Sequence, residues 1–248
     1  MKSLKNIPKE HSLAADQAKG TFGVPRIVIY GASGHSLAIA QNCVHRLRPG
    51  PLAEIAAYID DFRGGDGLSL GGAPIIFFDD WRDKFADLAC FIAVGDPQSR
   101  RRLAEKVIMA GGRFPRLHDR PGFLFPDVSI GADSGVSAQS DVGPKTTIGD
   151  HVIIMPMCWV AHDVEIADYV TLSASCSISG HVIIEEGAYL GAGVTVVDGS
   201  PERPLVIGAG AKVWAGAVVT KSIPAKTSVA GNPARPLRDL VRARKAGG

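Results

Sequence analysis

Ile130 to Val196 reads, in sixes, IGADSG VSAQSD VGPKTT IGDHVI IMPMCW VAHDVE IADYVT LSASCS ISGHVI IEEGAY LGAGVT V. Each group opens on an aliphatic residue, from Ile130, Val136 and Val142 through Ile178, Ile184, Leu190 and Val196, without a slip. The fifth place is mostly small or branched, as at Ser134, Thr146, Val152, Cys158, Val170 and Ala188. A helix repeats near about 3.6 residues and an ordinary strand near about 2, so a sustained period of six fits neither and specifies a solenoid of short strands. Three hexapeptides close one triangular coil, with the aliphatic positions filling the prism and the fifth positions its narrow corners. The expected fold is an all-β left-handed parallel β-helix, a rare exception to the right-handed crossover.

Stacked coils sit one strand spacing apart, about 4.8 Å. Residues eighteen apart should then lie above one another, with 130, 148, 166 and 184 on a first face, 136, 154, 172 and 190 on a second, and 142, 160, 178 and 196 on a third. After Val196 the frame breaks. Val197 to Val206 holds about five residues more than a hexapeptide and must bulge outward before the repeats resume at Ile207, Val213 and Val219.

Ahead of the repeats the pattern changes to apolar runs alternating with helical stretches, which means βαβ units and a parallel sheet. Strands are expected at Arg26–Tyr30, Glu54–Ile59, Ala73–Phe78 and Ala89–Val94, with helices from about His35 to Arg48 and Gln98 to Ala110. The chain thus divides into a loose arm over 1–24, an α/β Rossmann-like domain over 25–118, the β-helix over 119–228 and a C-terminal cap over 229–248, whose basic helix covers the open strand edge of the prism.

The 248 residues are 46% hydrophobic with a net charge of +2, which suits two cores and gives no reason to expect a nucleic-acid partner. No apolar run resembles a signal peptide or could span a bilayer, so a cytoplasmic protein without a membrane partner is expected. Cys158 and Cys176 are eighteen apart and should stack as reduced, buried thiols.

In open parallel sheets ligands sit at the carboxyl ends of the strands, and a Gly-rich turn entering a helix suits an anion. Gly31, Ser33, Gly34 and His35 form such a turn, and Asp60 ends the next strand where a ribose partner often lies. The Gly-x-x-Gly spacing is not the dinucleotide fingerprint and points to a nucleotide or nucleotide-sugar. The prism interior has no room for chemistry, so polar outliers on the outside are the candidates. His162, with Asp163 beside it, lies near the bulging loop, and His181 is one coil up at the same corner. A neutral imidazole beside a carboxylate suits a general base. His151 starts on a different face from His162 and His181, so one subunit cannot easily gather the three around zinc, although a trimer interface could, and no metal is expected.

Six segments occur in order: Ile-Val-Ile-Tyr-Gly-Ala-Ser-Gly-His (27–35), Tyr-Ile-Asp-Asp (58–61), Phe-Ile-Ala-Val-Gly-Asp (91–96), Ala-His-Asp-Val-Glu-Ile (161–166), Gly-Ala-Gly-Val-Thr-Val (191–196) and Val-Ala-Gly-Asn-Pro-Ala-Arg (229–235). Together they resemble the bacterial acetyl-CoA-dependent sugar acetyltransferases that join a nucleotide-binding Rossmann-like domain to a left-handed β-helix. The group includes nucleotide amino-sugar N-acetyltransferases and sialic acid O-acetyltransferase-like proteins. The resemblance implies direct N-acetylation of a nucleotide-linked amino sugar for surface polysaccharide or glycan synthesis, in a homotrimer with acetyl-CoA between neighbouring prisms. It makes His162 the base and Asp163 its support, and has the Gly180 N–H meet the thioester oxygen. Gly191 and Ala192 then line the pantetheine channel, and Gly31, Ser33, Gly34, His35 and Asp60 hold the nucleotide. Met155 and Thr171 depart from the residues usual near the acceptor sugar or thioester, and by the resemblance Met155 falls with the substrate and Thr171 with acetyl-CoA. With Met157 and Trp159, Met155 forms either an apolar wall of the site or part of a subunit interface. Acetylation of a sugar or sialic acid hydroxyl and a non-catalytic nucleotide-binding scaffold are the competing readings.

Overall fold

The computed structural model describes residues 25–44, 52–65, 67–117, 127–137 and 139–246. The expected arm, the end of the first helix beyond Val44 and the link from His118 to Pro126 lie outside the described residues.

From Ile130 the chain winds as the period demands. Ile148 pairs with Ile130 and Ile166, and Ile184 with Ile166 and then Ile207, which makes the first face. Val136, Ile154, Leu172, Leu190, Val213 and Val229 stack on the second face. Val142, Val160, Ile178, Val196 and Val219 stack on the third. All these side chains are buried in one continuous core with the small fifth-place residues. The step from Ile184 to Ile207 absorbs the extra residues of the loop, as the broken frame required. Cys158 and Cys176 are free and buried in this core.

In most hexapeptides the fourth place turns the corner in a left-handed conformation. Asp133, Lys145, His151, Met157, Asp163, Tyr169, Ser175 and His181 all have φ between 53° and 64°. A non-glycine residue there costs roughly 1–2 kcal/mol, so the solenoid's packing holds these backbones in place. Side chains at corners are therefore rigidly placed, one coil above another.

The first part of the chain forms β1 (Arg26–Tyr30), α1 (Gly34–Cys43), β2 (Glu54–Ile59), β3 (Ser69–Leu70), β4 (Ala73–Ile76), α2 (Phe78–Lys84), β5 (Ala89–Ile92) and α3 (Pro97–Met109). The sheet order is β3-β4-β2-β1-β5, parallel except for the β3–β4 hairpin. Ser33 caps α1 by accepting the Ser36 N–H at 3.1 Å, and Asp96 caps α3 by accepting the Ser99 N–H at 2.8 Å with Pro97 in the first turn. The expected third and fourth strands end two residues early, at Ile76 and Ile92. The sequence reading missed β3, a two-residue strand before Gly71-Gly72, and α2, whose Phe78 and Trp81 alone are buried. At the far end Arg235–Pro236 returns antiparallel to Ser228–Ala230, leading into α4 (Leu237–Ala246).

The sheet domain docks on the second face and on the edge between the first and second faces. Ile153 and Met155 pack into the core formed by α1, β1 and β5, and a Cβ on Gly135 would lie 2.6 Å from Cys43 Cβ. Arg100, fully buried on α3, locks the junction. Its guanidinium donates to the carbonyls of His151 (2.7 Å), Val94 (2.6 Å), Gly95 (3.2 Å), Tyr169 (2.7 Å) and Val170 (3.0 Å). Asp133, also buried, accepts from Ile92 N–H at 2.9 Å and pairs with His151 Nδ1 at 2.7 Å. The His151 ring stacks on Tyr169 at 4.6 Å and meets Phe114 edge-on. Burial pushes the Asp133 carboxyl up against the pull of His151 and Arg100, and pulls Arg100 down to about 10, so the guanidinium stays charged at neutral pH.

Candidate active site

The edge between the third and first faces carries His162, Asp163 and His181. Asp163 and His181 occupy the same left-handed turn position in successive coils, and Lys145 occupies it one coil below. His162 Nδ1 and Asp163 Oδ2 are 2.7 Å apart, which leaves Nε2 free for chemistry. The His162 side chain is 54% exposed, so the pair opens to solvent. The His162 hydrogen bond holds the Asp163 carboxyl below its ordinary value, with smaller contributions from Lys145 and His181, so Asp163 is ionised at neutral pH. The His181 ring lies edge-on to His162 at 5.4 Å.

Gly180 lies against the His162 ring, where a Cβ would come within 2.8 Å of Cε1. Glycine is therefore required for the imidazole to lie flat over the coil above. Its N–H differs from expectation, because it is donated to Asp198 Oδ1 at 3.0 Å. The same device recurs lower in the solenoid. An aspartate one coil up takes the N–H of Ala132 (Asp150, 2.6 Å) and of Asp150 (Asp168, 2.8 Å). Asp198 repeats this bond on a different edge, at the foot of the bulging loop, whose Gly199 and Leu205 N–H groups bond Gly180 O and His181 O, each at 3.0 Å. As folded, the Gly180 N–H is occupied rather than free to meet an oxyanion.

Two assignments drawn from the resemblance are corrected. Thr171, assigned to the cofactor, is buried at the domain junction and donates its hydroxyl to Gly95 O at 2.7 Å. Met155, assigned to the substrate, packs into the sheet domain's core. Both project outward from the second face and its edge, which the sheet domain covers. Gly191 and Ala192 lie on the edge between the second and third faces, so within one chain they do not join His162.

The nucleotide candidates gather at the carboxyl ends of β1, β2 and β5. Gly31 has φ 116°, and a Cβ there would meet Ser36 Oγ at 2.6 Å, so the tight turn requires glycine. Ser33, Gly34 and His35 are exposed at the start of α1, and no atom lies within 4 Å of where a Gly34 Cβ would stand. The His35 ring crosses Gly95 so closely that a Cβ there would be 2.5 Å from Nε2. Asp60 accepts the Phe62 and Arg63 N–H groups and the Arg63 guanidinium. Burial pushes its carboxyl up, but these donors together hold it below its ordinary value. Arg63 also donates to Ala32 O at 2.7 Å, tying the Asp60 turn to the glycine turn. The sequence reading missed Arg63, although its spacing three residues after Asp60 was a signal.

In a triangular prism the edge carrying His162 lies opposite the second face, on which the sheet domain sits. A left-handed β-helix with a docked Rossmann-like domain and an open histidine–carboxylate pair is the arrangement that the resemblance to the sugar acetyltransferases implied. Residues 26–107 match the PglD N-terminal domain family. GDP-perosamine N-acetyltransferase of Escherichia coli O157:H7 is 36% identical over 147 residues, 59% of this chain and 66% of that protein. UDP-3-O-acylglucosamine N-acyltransferase of Caulobacter sp. (strain K31) is 39% identical over 126 residues, 49% of this chain but 35% of that protein, so the chain spans two thirds or less of these curated relatives. The acetyltransferase domain of PglB from Neisseria gonorrhoeae FA1090, solved with acetyl coenzyme A, superposes with a TM-score of 0.70 at 28% identity, covering 86% of this chain and 100% of that one. PerB from Caulobacter crescentus, solved with CoA and GDP-perosamine, gives 0.71 at 26% identity over 85% of this chain and 96% of that one. The chain belongs to the bacterial sugar acetyltransferases that join a PglD-type N-terminal domain to a left-handed β-helix.

Proposed function

We propose that the protein transfers acetyl from acetyl-CoA directly to the amine of a nucleotide-linked amino sugar, in the cytoplasm, for surface polysaccharide or glycan synthesis. The reading is carried by the His162–Asp163 pair, with Nδ1 held at 2.7 Å and Nε2 free over Gly180 on an open edge. The sugar amine attacks the thioester carbon while His162 Nε2 accepts its proton, and the C–S bond then breaks. The leaving thiolate takes the proton from the imidazolium, leaving an amide and free coenzyme A. The nucleotide sits at Gly31, Ser33, Gly34 and His35, with its phosphates at the start of α1.

Because His162 lies opposite the face that carries the nucleotide turn, the complete site needs a neighbouring subunit. A homotrimer, with Gly191 and Ala192 of one prism lining the pantetheine channel beside His162 of the next, meets that need. Exposed Met157, Trp159 and Trp214, on the third face and the edge between the second and third faces, are the apolar surface such packing would cover.

Following free thiol during incubation with acetyl-CoA and a panel of nucleotide sugars tests this reading. Release only with amino-sugar acceptors is expected. Release with hydroxyl acceptors alone would favour O-acetylation, and no release with any would favour the non-catalytic scaffold.

Asp198→Ala offers a separate test of the Gly180 donor. Freeing the N–H from its carboxylate acceptor, a contact worth about 1.5–3 kcal/mol, is expected to raise kcat/KM by about tenfold to 100-fold. An unchanged or lower rate would leave Gly180 as packing for His162 alone.

A further inference from the structure

We propose that His162, Asp163 and His181 bind one transition-metal cation of the zinc type, and that its binding stops acetyl transfer, because a neutral imidazole held by the cation through either nitrogen carries its proton on the other and has none left to accept one. One nitrogen from each imidazole and one carboxylate oxygen all lie within 4.8 Å of one another. Tetrahedral zinc with nitrogen and oxygen bonds of about 2.0–2.1 Å sets its ligands about 3.4 Å apart. Rotation of the three side chains has to close that difference for the cation to bind.

The backbone itself is fixed. Asp163 (φ 54°) and His181 (φ 53°) are corner residues of successive coils, so their separation is the strand spacing of the solenoid. The edge-on contact between the two rings at 5.4 Å already turns them toward a shared space. Side-chain exposures of 54% for His162 and 35% for Asp163 give a cation access from solvent.

Donor chemistry selects the cation. Two imidazoles and one carboxylate suit Zn²⁺, Co²⁺, Ni²⁺ or Cu²⁺, whereas Mg²⁺ and Ca²⁺ prefer sets made wholly of oxygen. Lys145, in the same turn one coil below, repels any cation, so binding must come from the imidazole bonds rather than from charge. Three protein ligands leave one tetrahedral position open to water, an arrangement found where zinc is reachable from solvent. Two stacked coils supply all three groups, so the site exists in a single chain.

Stopping transfer rests on the reading of His162 as the base; binding does not. The test titrates metal-stripped full-length protein with Co²⁺ and follows its visible absorption. It then adds Zn²⁺ to the acetyl-transfer assay, with His162→Asn and His181→Asn checked by circular dichroism. Wild-type protein is expected to give a saturable cobalt spectrum at one equivalent, displaced by Zn²⁺. Each variant should lose at least about tenfold in affinity, since even residues that only orient ligands cost 10–100-fold. Zn²⁺ should abolish transfer over the range in which it displaces Co²⁺, with chelator restoring it, and His181→Asn should need at least about tenfold more Zn²⁺ relative to its own metal-free rate. Cobalt binding indifferent to both substitutions would overturn the site. Histidine-dependent binding with full turnover at saturating Zn²⁺ would keep the site but overturn the inhibition, and with it the assignment of His162 as the base.

Discussion

His162→Ala is expected to lower kcat for acetyl transfer by about 100-fold to 10,000-fold, the range for a positioned general base, while binding of acetyl-CoA is retained. The effect should fall on kcat, because the proton is taken in the transition state rather than on binding. His162 has what the role needs: an exposed ring, Nδ1 fixed by Asp163 at 2.7 Å, and a glycine against it in the next coil. Asp163→Asn should reduce kcat less, since the amide can still bond the ring but no longer stabilises the imidazolium. Turnover in His162→Ala at the wild-type rate would remove this residue from the chemistry. Loss of acetyl-CoA binding instead would make it a binding residue.

Arg100→Met is expected to destabilise the protein by about 3–5 kcal/mol, the scale for removing one partner from a buried charged network. The substitution keeps most of the volume but removes the guanidinium from five carbonyls, of which Gly95 O keeps the Thr171 hydroxyl and Val170 O the Ile153 N–H, and leaves Asp133 without the neighbouring positive charge. Equilibrium urea unfolding followed by tryptophan fluorescence measures the loss. It should appear as an earlier transition of the sheet domain, because the lost contacts hold that domain to the prism. A change below about 1 kcal/mol would mean that the apolar contacts of Ile153 and Met155 carry the junction alone.

The period of six made the prism, its three faces and the bulge before Ile207 legible, because each buried position repeats at a spacing that no other regular structure shares. It also placed His162, Asp163 and His181 at one edge. The frame says which residues point outward but not which outward residues meet another domain. Thr171 and Met155 were therefore read as site residues, while the sheet domain buries them. Arg100 opens the run Arg100-Arg101-Arg102 and reads as solvated surface, yet it shares a helical stripe with buried Ala104 and Val107, which was the available signal. Asp198 was equally within reach, since Asp150 and Asp168 show the same eighteen-residue spacing and the same use of the carboxylate.

A structure of the protein crystallised with coenzyme A and a nucleotide-linked amino sugar measures the central arrangement directly. The coenzyme A sulfur and the sugar nitrogen should both approach His162, with the nitrogen within about 2.6–3.2 Å of Nε2, directly or through one water, and with the nucleotide on a neighbouring subunit's glycine turn. Coenzyme A bound away from His162, or that imidazole facing solvent with no acceptor near it, would contradict acetyl transfer at this edge.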